Sequence, residues 1–317
     1  MNRHQRILIA VLAIQVVLTV VVFWPKSALS ASEPLLSGLK ASDIVGMTMT
    51  ETDGRTLELR QVTGEWVLPS ADNYPVVGDK VTPVVDKLLA MDTGRLVART
   101  ASSHRRLQVS ETDFVRRITL QTASGSRHTV YLGSSPTYNV SHVRVDGREE
   151  TYLASGLSSW EFSAAPSAWI NTSFVEFARD QLTEVQISNA KGTVVLTKDD
   201  LGLWSAQGLV GDQATDTIDL ALMRSSSVLM TKPLGRQLLP EYGLDQPALT
   251  VTLKGLEQTV TWEAGALLPA EAGYVVRSST SPYYVIVADY NLTVLLENGP
   301  AEYLKPTPTA ASSQPTT

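Results

Sequence analysis

An internal repeat constrains this chain more than any other feature of its 317 residues. The segment VGDKVTPVVDKLLAMDTGRLVA, residues 77–98, aligns with VGDQATDTIDLALMRSSSVLMT, residues 210–231, at an offset of 133. The same offset places Ile118 on Val251 in a segment that alternates apolar and polar residues. A period this long exceeds that of a solenoid unit, so the repeat predicts two similar domains in tandem.

Upstream of these segments the offset becomes 138, which places Trp66 on Trp204. The extra residues fall in VLPSADNYP, 67–75, a turn-rich stretch that can absorb an insertion. The repeat therefore covers more of each half than the first alignment does.

Each copy opens with a β-meander pattern, followed by a helix. In the first copy Asp53-Gly54 and Thr63-Gly64 mark the turns between alternating segments. Asp79 is the expected helix N-cap, and Asp212 is its counterpart in the second copy. Apolar residues then recur at the spacing of one helix face: Val81, Val84, Val85, Leu88 and Leu89, and in the second copy Ala214, Ile218, Ala221 and Leu222.

Further strands are expected after each helix. The first copy provides RRITLQT, HTVYLG, SHVRVDG and ETYLAS, and the second provides ALTVTLKG, QTVTWEAG, GYVVRSS and YYVIVAD. One helix against a mostly antiparallel sheet makes an α+β domain. The predicted fold class is therefore α+β, with two tandem similar domains, each with one main amphipathic helix, plus an N-terminal transmembrane helix.

The N-terminus indicates where the protein resides. ILIAVLAIQVVLTVVVFW, residues 7–24, carries no charge, and as a helix it would span about 27 Å, close to the thickness of the bilayer hydrocarbon. Arg3 and Arg6 precede it, which favours a cytoplasmic N-terminus and an extracytoplasmic body. The alternative is a signal peptide cleaved after Ser30, because ALSA, 28–31, presents small residues. The length of the apolar run favours an uncleaved, single-pass anchor in the cell membrane.

These patterns divide the chain into six expected segments: 1–26 for the cytoplasmic tip and anchor, 27–40 for a spacer, 41–157 for the first repeat, 158–178 for a partly helical linker, 179–303 for the second repeat and 304–317 for a disordered tail rich in Pro, Thr and Ser.

Composition excludes several classes of function. The net charge of −6 and the lack of a basic stripe argue against nucleic acid as a partner. Cysteine is absent, which excludes disulfides, thiolate metal sites and cysteine nucleophiles.

Residues capable of catalysis or metal binding form no recognisable constellation. The histidines are His4, His104, His128 and His142, and no two have the spacing of a helical zinc site. SGLK, residues 37–40, fits Ser-x-x-Lys, but the accompanying motifs of that enzyme class are missing. We therefore expect no catalytic, cofactor-binding or metal-binding residues.

Other polar and aromatic residues have structural explanations. The pairs Glu149-Glu150 and Asp199-Asp200 fall at predicted turns, where solvated corners are expected. Asp86 and Asp219 share one helix position, and an exposed face is the simplest interpretation. Trp66 and Trp204 are expected to anchor the core of each meander.

The chain resembles the bacterial family called domain of unknown function 4340 (DUF4340). The resemblance rests on the Gly-x-Trp hairpin, the amphipathic helix, YGLDQPALTVTL (242–253) and YVVRSSTSPYYVIV (274–287), and covers roughly residues 40–300 in two copies. The first copy departs from the pattern where LQVSETDF replaces the Tyr-Gly-Leu-x-x-Pro turn. The family implies a membrane-tethered envelope protein, often an accessory to ABC-type transport or gliding systems, and carries no catalytic residues.

Two functions remain open from the sequence. The first is a non-enzymatic envelope protein that binds other envelope or membrane proteins or helps to assemble a membrane complex. The second is an extracytoplasmic module that binds peptidoglycan, polysaccharide or a peptide. An exposed apolar patch would favour a protein partner, and a row of exposed aromatic side chains would favour sugar. No cofactor is expected in either case.

Overall fold

The computed structural model describes residues 12, 14, 15 and 32–305. In this part of the chain 42% of residues lie in strands and 23% are helical. The helices are α1 (Gly78–Leu89), α2 (Ala101–Arg106), α3 (Thr215–Ser226) and α4 (Asp289–Glu297). Single 3-10 turns occupy Ala41–Asp43, Pro69–Ala71, Ser159–Glu161, Pro166–Ala168, Pro240–Tyr242, Pro269–Glu271 and Pro300–Tyr303.

The strands of the first half alternate apolar and polar residues, which buries one face of each strand. They are β1 (Ile44–Glu51), β2 (Thr56–Val62), β3 (Glu65–Leu68), β4 (Tyr74–Pro75), β5 (Leu96–Ala98), β6 (Arg116–Thr122), β7 (Arg127–Leu132), β8 (Val140–Val145) and β9 (Thr151–Ser155). They form one nine-stranded sheet in the order β4-β3-β2-β1-β6-β7-β8-β9-β5.

The strands of the second half form an eight-stranded sheet and a small ribbon. They are β10 (Ser173–Glu176), β11 (Leu182–Asn189), β12 (Gly192–Lys198), β13 (Trp204–Ala206), β14 (Ser227–Leu229), β15 (Lys232–Gly235), β16 (Leu249–Gly255), β17 (Thr259–Leu268), β18 (Gly273–Ser278) and β19 (Ser281–Ala288). The sheet runs β13-β12-β11-β16-β17-β18-β19-β15, and β10 pairs with β14. Without β4, the first sheet has the order β3-β2-β1-β6-β7-β8-β9-β5. Each of these strands occupies the same position as the strand numbered ten higher in the second sheet.

The central strands hold equivalent registers in the two sheets. Ile118 on β6 lies opposite Met49 on β1, and Val251 on β16 lies opposite Ile187 on β11. All four side chains are fully or almost fully buried. The predicted strands agree with those observed to within a few residues, because alternation of apolar and polar residues directly reports which face is buried.

The predicted α+β fold class is wrong, although the sheets are antiparallel as expected. Antiparallel sheets dominate the described residues, and their helical content is spread over four short helices and isolated turns instead of one main helix per sheet. None of the helices in these residues is long and apolar enough to cross a membrane. The segment assigned to the anchor, 7–24, lies almost wholly outside the described residues, as does the proposed cleavage site after Ser30.

The linker, which the sequence predicts to be partly helical, contains only two single 3-10 turns before strand β10. Pro166 starts the second turn. Its ring fixes its φ angle, and it has no backbone N–H to donate within a longer helix. Aromatic side chains from this segment enter the core instead: Phe162, Trp169, Phe174 and Phe177.

Both predicted helix caps are displaced. Helix α1 begins at Gly78, so Asp79 lies in its first turn, where its charge still favours the helix dipole. Helix α3 begins only at Thr215, three residues after Asp212. Most of the predicted apolar faces are buried: Val81, Val84, Val85 and Leu88 in α1, and Ile218, Ala221 and Leu222 in α3. The other two predicted positions differ, because Leu89 is only half-buried and Ala214 precedes the first residue of α3.

The ends of the described chain are packed and not free. Leu35 and Leu36, in the expected spacer, are buried in the core. The backbone N–H of Lys305 donates to the carbonyl of Asp212 at 2.7 Å. Residues 306–317, most of the expected disordered tail, lie outside the described residues.

Candidate functional site: a cleft between the two sheets

A cleft of about 510 Å³ lies between the first sheet, the linker and the edge of the second sheet. Its walls come from the start of β2, the turn after β3, the linker turn at Pro166 and strand β15. They comprise Arg55, Thr56, Leu57, Leu68, Ser70, Ala71, Ala164, Ala165, Pro166, Ser167, Thr231, Lys232, Pro233, Leu234 and Glu271. Clefts between structural units are a common place for ligands and peptides to bind.

Prolines shape both sides of this cleft. Pro166 starts the linker turn, and Pro233 lies on β15, an outer strand of the eight-stranded sheet. A proline is tolerated on an outer strand because the missing N–H is not needed by a neighbouring strand. The same residue blunts the edge against pairing with another chain.

A buried carboxylate organises the first wall. Glu51 accepts hydrogen bonds from Arg55 Nη2 at 2.5 Å and from the backbone N–H of Ala164 at 3.0 Å, and Arg116 Nη2 lies 3.2 Å from it. The charge of Glu51 is thus fully paired, which a buried carboxylate requires. These contacts fix the linker on the first sheet and hold Arg55 at the cleft rim.

The rim also carries two further ionic contacts. Arg55 donates from its backbone N–H and from Nε to the carboxylate of Asp53, and these bonds hold the pKa of Asp53 below its usual value. On the opposite wall Lys232 Nζ lies 2.5 Å from Glu271 Oε1. Both walls therefore offer charges that already have partners, so a ligand would compete with an existing ion pair.

The two halves also meet beside the cleft through an aromatic contact. The ring of Tyr74 lies edge-on to Tyr283 at 4.7 Å between centroids, and Arg236 stacks over Tyr283 at 4.6 Å. Asp72 accepts a hydrogen bond from the backbone N–H of Arg236 at 2.6 Å. Burial raises the pKa of the Tyr74 hydroxyl, because its charged form would lose contact with water there.

The cleft offers binding groups and not a catalytic constellation. Its apolar surface comes from leucine, proline and alanine side chains, with hydroxyls from Ser70, Ser167 and Thr231. None of the described residues lining it is a histidine, so these hydroxyls have no imidazole base beside them. The arrangement suits a short extended peptide or a small amphipathic molecule.

The histidines singled out in the sequence do not converge. His104 on α2 contacts the carbonyl of Glu149 at 2.6 Å through Nε2. His142 on β8 is buried, with Nδ1 2.7 Å from the carbonyl of Ser134. His128 lies on β7, and His4 lies outside the described residues. In the described part of the chain no three acidic or histidine side chains are arranged to hold a metal ion.

The acidic pairs lie at turns, as expected. Asp199 accepts the backbone N–H groups of Leu201 and Leu203, which closes the turn between β12 and β13. Glu150 lies 3.7 Å from Arg99.

The remaining singled-out residues also have structural roles. Asp219 pairs with Arg179 at 3.2 Å, whereas Asp86 is exposed on α1. Trp66 is buried in the core and Trp204 is half-buried against it. Ser37 of the Ser-x-x-Lys match lies near Thr122 of the first sheet, and the backbone N–H of Lys40 donates to the carboxylate of Asp43 at 3.1 Å.

Sequence reasoning missed a group of exposed leucines. Leu201, Leu203 and Leu256 have 85%, 65% and 85% of their surface exposed. They lie in the β12–β13 and β16–β17 turns, at the same end of the second sheet. The start of β11 pairs there with the ends of both strands, Glu184 with Thr197 of β12 and Leu182 with Gly255 of β16. We call these three residues the leucine turns. The sequence signal that could have identified them is the presence of leucines where turns are predicted.

The sequence model of the family described as Domain of unknown function (DUF4340) matches residues 66–238, more than half of the chain. The chain belongs to the DUF4340 family. The family model matches once, from β3 in the first half to just beyond β15 in the second half, and does not show the two tandem copies expected from the sequence. No curated protein and no solved structure matches this DUF4340 chain.

Proposed function

We propose that this protein is a non-enzymatic, membrane-attached extracytoplasmic component that binds a protein partner within a bacterial envelope complex. The leucine turns carry this proposal. Leucines exposed at the tips of turns contribute little to a protein's own core, whereas apolar side chains at a surface patch favour association with a partner. The uncharged run 7–24 supports attachment to the membrane, which would raise the effective concentration of the body near membrane proteins.

The first sheet provides an internal comparison for the leucine turns. Its β2–β3 turn carries Thr63 and its β6–β7 turn carries Ala123 at the equivalent places. We also propose that the halves are two copies of the family unit, supported by the common strand order and the 133-residue offset. In that case the leucines distinguish the second copy from the first.

Photo-crosslinking in cells tests the partner proposal. A photoreactive residue at Leu201 or Leu256 is expected to give one discrete crosslinked product in the membrane fraction, whereas the same residue at Thr63 or Ala123 gives none. With the photoreactive residue at Leu201 or Leu256, replacing the other two leucines with serine should weaken or abolish the product, and serine at Leu201, Leu203 and Leu256 together should abolish the ability to complement a deletion strain. Equal products at all positions, or full complementation by the serine variant, would exclude the leucine turns as the partner surface.

Attachment is tested separately by exchanging residues 1–30 for a cleavable signal. The released body should no longer restore the function of a deletion strain, because the partner is then met only by free diffusion. Full restoration by the released protein would contradict membrane attachment as a requirement.

A second candidate is an extracytoplasmic ligand-binding module, favoured by the 510 Å³ cleft. Replacing Ser167 with tryptophan would fill the cleft. If function depends on a ligand in the cleft, this variant loses complementation while the serine variants of the leucine turns retain it.

A further inference from the structure

A basic segment lies on the outer edge of the first sheet, although the protein has a net charge of −6. From residue 93 to residue 110 the chain contains Arg95, Arg99, Arg105 and Arg106, and no aspartate or glutamate. All four arginines are exposed. Sequence analysis did not identify this basic segment, because the arginines are not contiguous: they lie on either side of β5 and at the end of helix α2.

The geometry presents these charges beside exposed apolar residues. Strand β5 pairs with β9 on one side and ends the nine-stranded sheet on the other. Leu96 and Val97, on this strand, are 46% and 41% exposed. Thr100 caps the following helix α2, whose last turn carries Arg105 and Arg106. We call Arg95, Leu96, Val97, Arg99, Arg105 and Arg106 the basic edge.

Most of these charges are available to a partner. Arg99 Nε lies 3.7 Å from Glu150, and Arg95 donates to the hydroxyl of Ser155 at 3.3 Å. Among the described residues no carboxylate lies within ion-pair distance of Arg95, Arg105 or Arg106. Exposed arginines of this kind can form paired hydrogen bonds with phosphate oxygens.

The N-terminal part of the described chain is fixed next to the same edge. The backbone N–H of Leu35 donates to the carbonyl of Met91 at 2.8 Å, and that of Thr93 donates to the carbonyl of Glu33 at 3.0 Å. Residues 33–35 therefore run beside 91–93, which lead directly into the basic edge. Since Trp24 and Ser32 are eight residues apart, the chain between them can extend at most about 30 Å.

We propose that the basic edge lies against the anionic headgroups of the bilayer to which residues 7–24 attach the protein. The inference rests on the proposed membrane attachment. The connection holds this edge near the bilayer, where the arginines meet lipid phosphates and Leu96 and Val97 enter the headgroup region. The competing explanation is that the arginines only protect an outer strand from pairing with other chains.

The lack of native cysteine allows a direct test with single-cysteine probes. The full chain carries Leu96→Cys or, as the control, Leu267→Cys, a strand residue of the second sheet with 44% exposure. Each is labelled with an environment-sensitive fluorophore and incorporated into nanodiscs of phosphatidylcholine, with or without phosphatidylglycerol. We expect the probe at position 96 to shift to the blue and to be quenched by headgroup spin labels, more strongly with phosphatidylglycerol and less at high salt.

Charge variants identify the groups responsible. Replacing Arg95, Arg105 and Arg106 with glutamine should remove the dependence of the signal at position 96 on phosphatidylglycerol. Glutamine at the exposed Arg60, Arg127 and Arg179 removes the same charge elsewhere and should leave that signal unchanged. Thermal unfolding verifies that both triple variants are folded.

The outcomes separate the two proposals. If the full chain fails to associate with phosphatidylcholine nanodiscs, the attachment is wrong and this inference falls with it. If the chain associates but the probes at positions 96 and 267 respond alike, or both triple variants behave alike, the membrane-facing role of the basic edge is overturned and the attachment stands.

Discussion

Trp262 is the largest fully buried side chain in the described residues, and its indole Nε1–H donates to the carbonyl of Ser225 at 2.9 Å. This bond ties β17 to the end of helix α3. We expect Trp262→Ala to lower the free energy of unfolding by about 3–5 kcal/mol, since it removes both the ring and the hydrogen bond. Urea denaturation followed by circular dichroism measures the change.

Trp160 supplies the matched control, because 67% of its surface is exposed. Trp160→Ala should change the free energy of unfolding by no more than about 0.5 kcal/mol. Equal losses for the two variants would show that burial does not distinguish these positions.

Tyr303 is also fully buried, and the structure gives its hydroxyl no hydrogen-bond partner among the described residues. Burial raises the pKa of this hydroxyl to about 12, from about 10 in the unfolded chain. The unfolded chain thus loses its proton first as the pH rises. This group does not lower the free energy of unfolding below about pH 10. Between about pH 10 and 12 it lowers the free energy of unfolding by roughly 2–3 kcal/mol.

Tyr303→Phe isolates this effect from the other buried tyrosines. Removing an unpaired buried hydroxyl should leave stability at pH 8 equal or slightly higher. Urea denaturation at pH 8 and at pH 11 should show a smaller loss for the variant than for the parent chain. An identical loss would mean that Tyr303 does not contribute to alkaline destabilisation.

At the scale of elements, two glycines allow close crossings of the chain. A Cβ on Gly265 of β17 would lie 2.1 Å from the carbonyl oxygen of Tyr242, and a Cβ on Gly133, just after β7, would lie 2.0 Å from that of Leu107. In the second half, therefore, the segment before β16 crosses close to β17, and in the first half the segment before β6 crosses close to the end of β7. We expect Gly265→Ala to destabilise by about 1–3 kcal/mol or more through overpacking, measured by thermal unfolding.

Gly78, at the start of α1, is the control for this prediction. A Cβ there would meet no atom within 4 Å. Gly78→Ala should be neutral or stabilise by up to about 1 kcal/mol, because alanine favours a helix. A large loss at Gly78, or none at Gly265, would contradict the crowding argument.

At the scale of the whole molecule, one hydrophobic cluster runs through both halves, from Leu35 to Tyr303. A continuous core favours a single cooperative unfolding transition. Tyr283→Ala removes the ring that contacts Tyr74 across the junction and Arg236 within the second half, and an aromatic pair alone contributes about 0.5–1.5 kcal/mol. We expect the parent chain to unfold in one calorimetric transition and this variant to broaden or split it.

Tyr284→Ala is the matched control, because the ring of Tyr284 contacts Tyr242 within the second half at 5.6 Å. This variant should lower the melting temperature and keep one transition. A split transition in both variants would mean that the junction contact has no special role in coupling the halves.

By itself the sequence determined most of the strands, because alternation reports burial locally. The segment 116–122 is predicted as a strand with the same bounds as β6, and the buried faces of α1 and α3 follow from helical spacing. The sequence also identified the family. Helix starts were less accurate: neither Asp79 nor Asp212 is a cap, since the backbone on either side decides where a helix can begin.

Only the tertiary structure revealed the surfaces on which function can depend. The cleft brings together residues as distant as Arg55 and Glu271. The leucine turns lie at one end of the second sheet because β12 and β16 both pair with β11. The basic edge lies beside residues 33–35 because distant backbone groups pair there. Local patterns determine which face of an element is buried, whereas contacts between distant segments depend on how the sheets associate, and no short stretch of sequence encodes that.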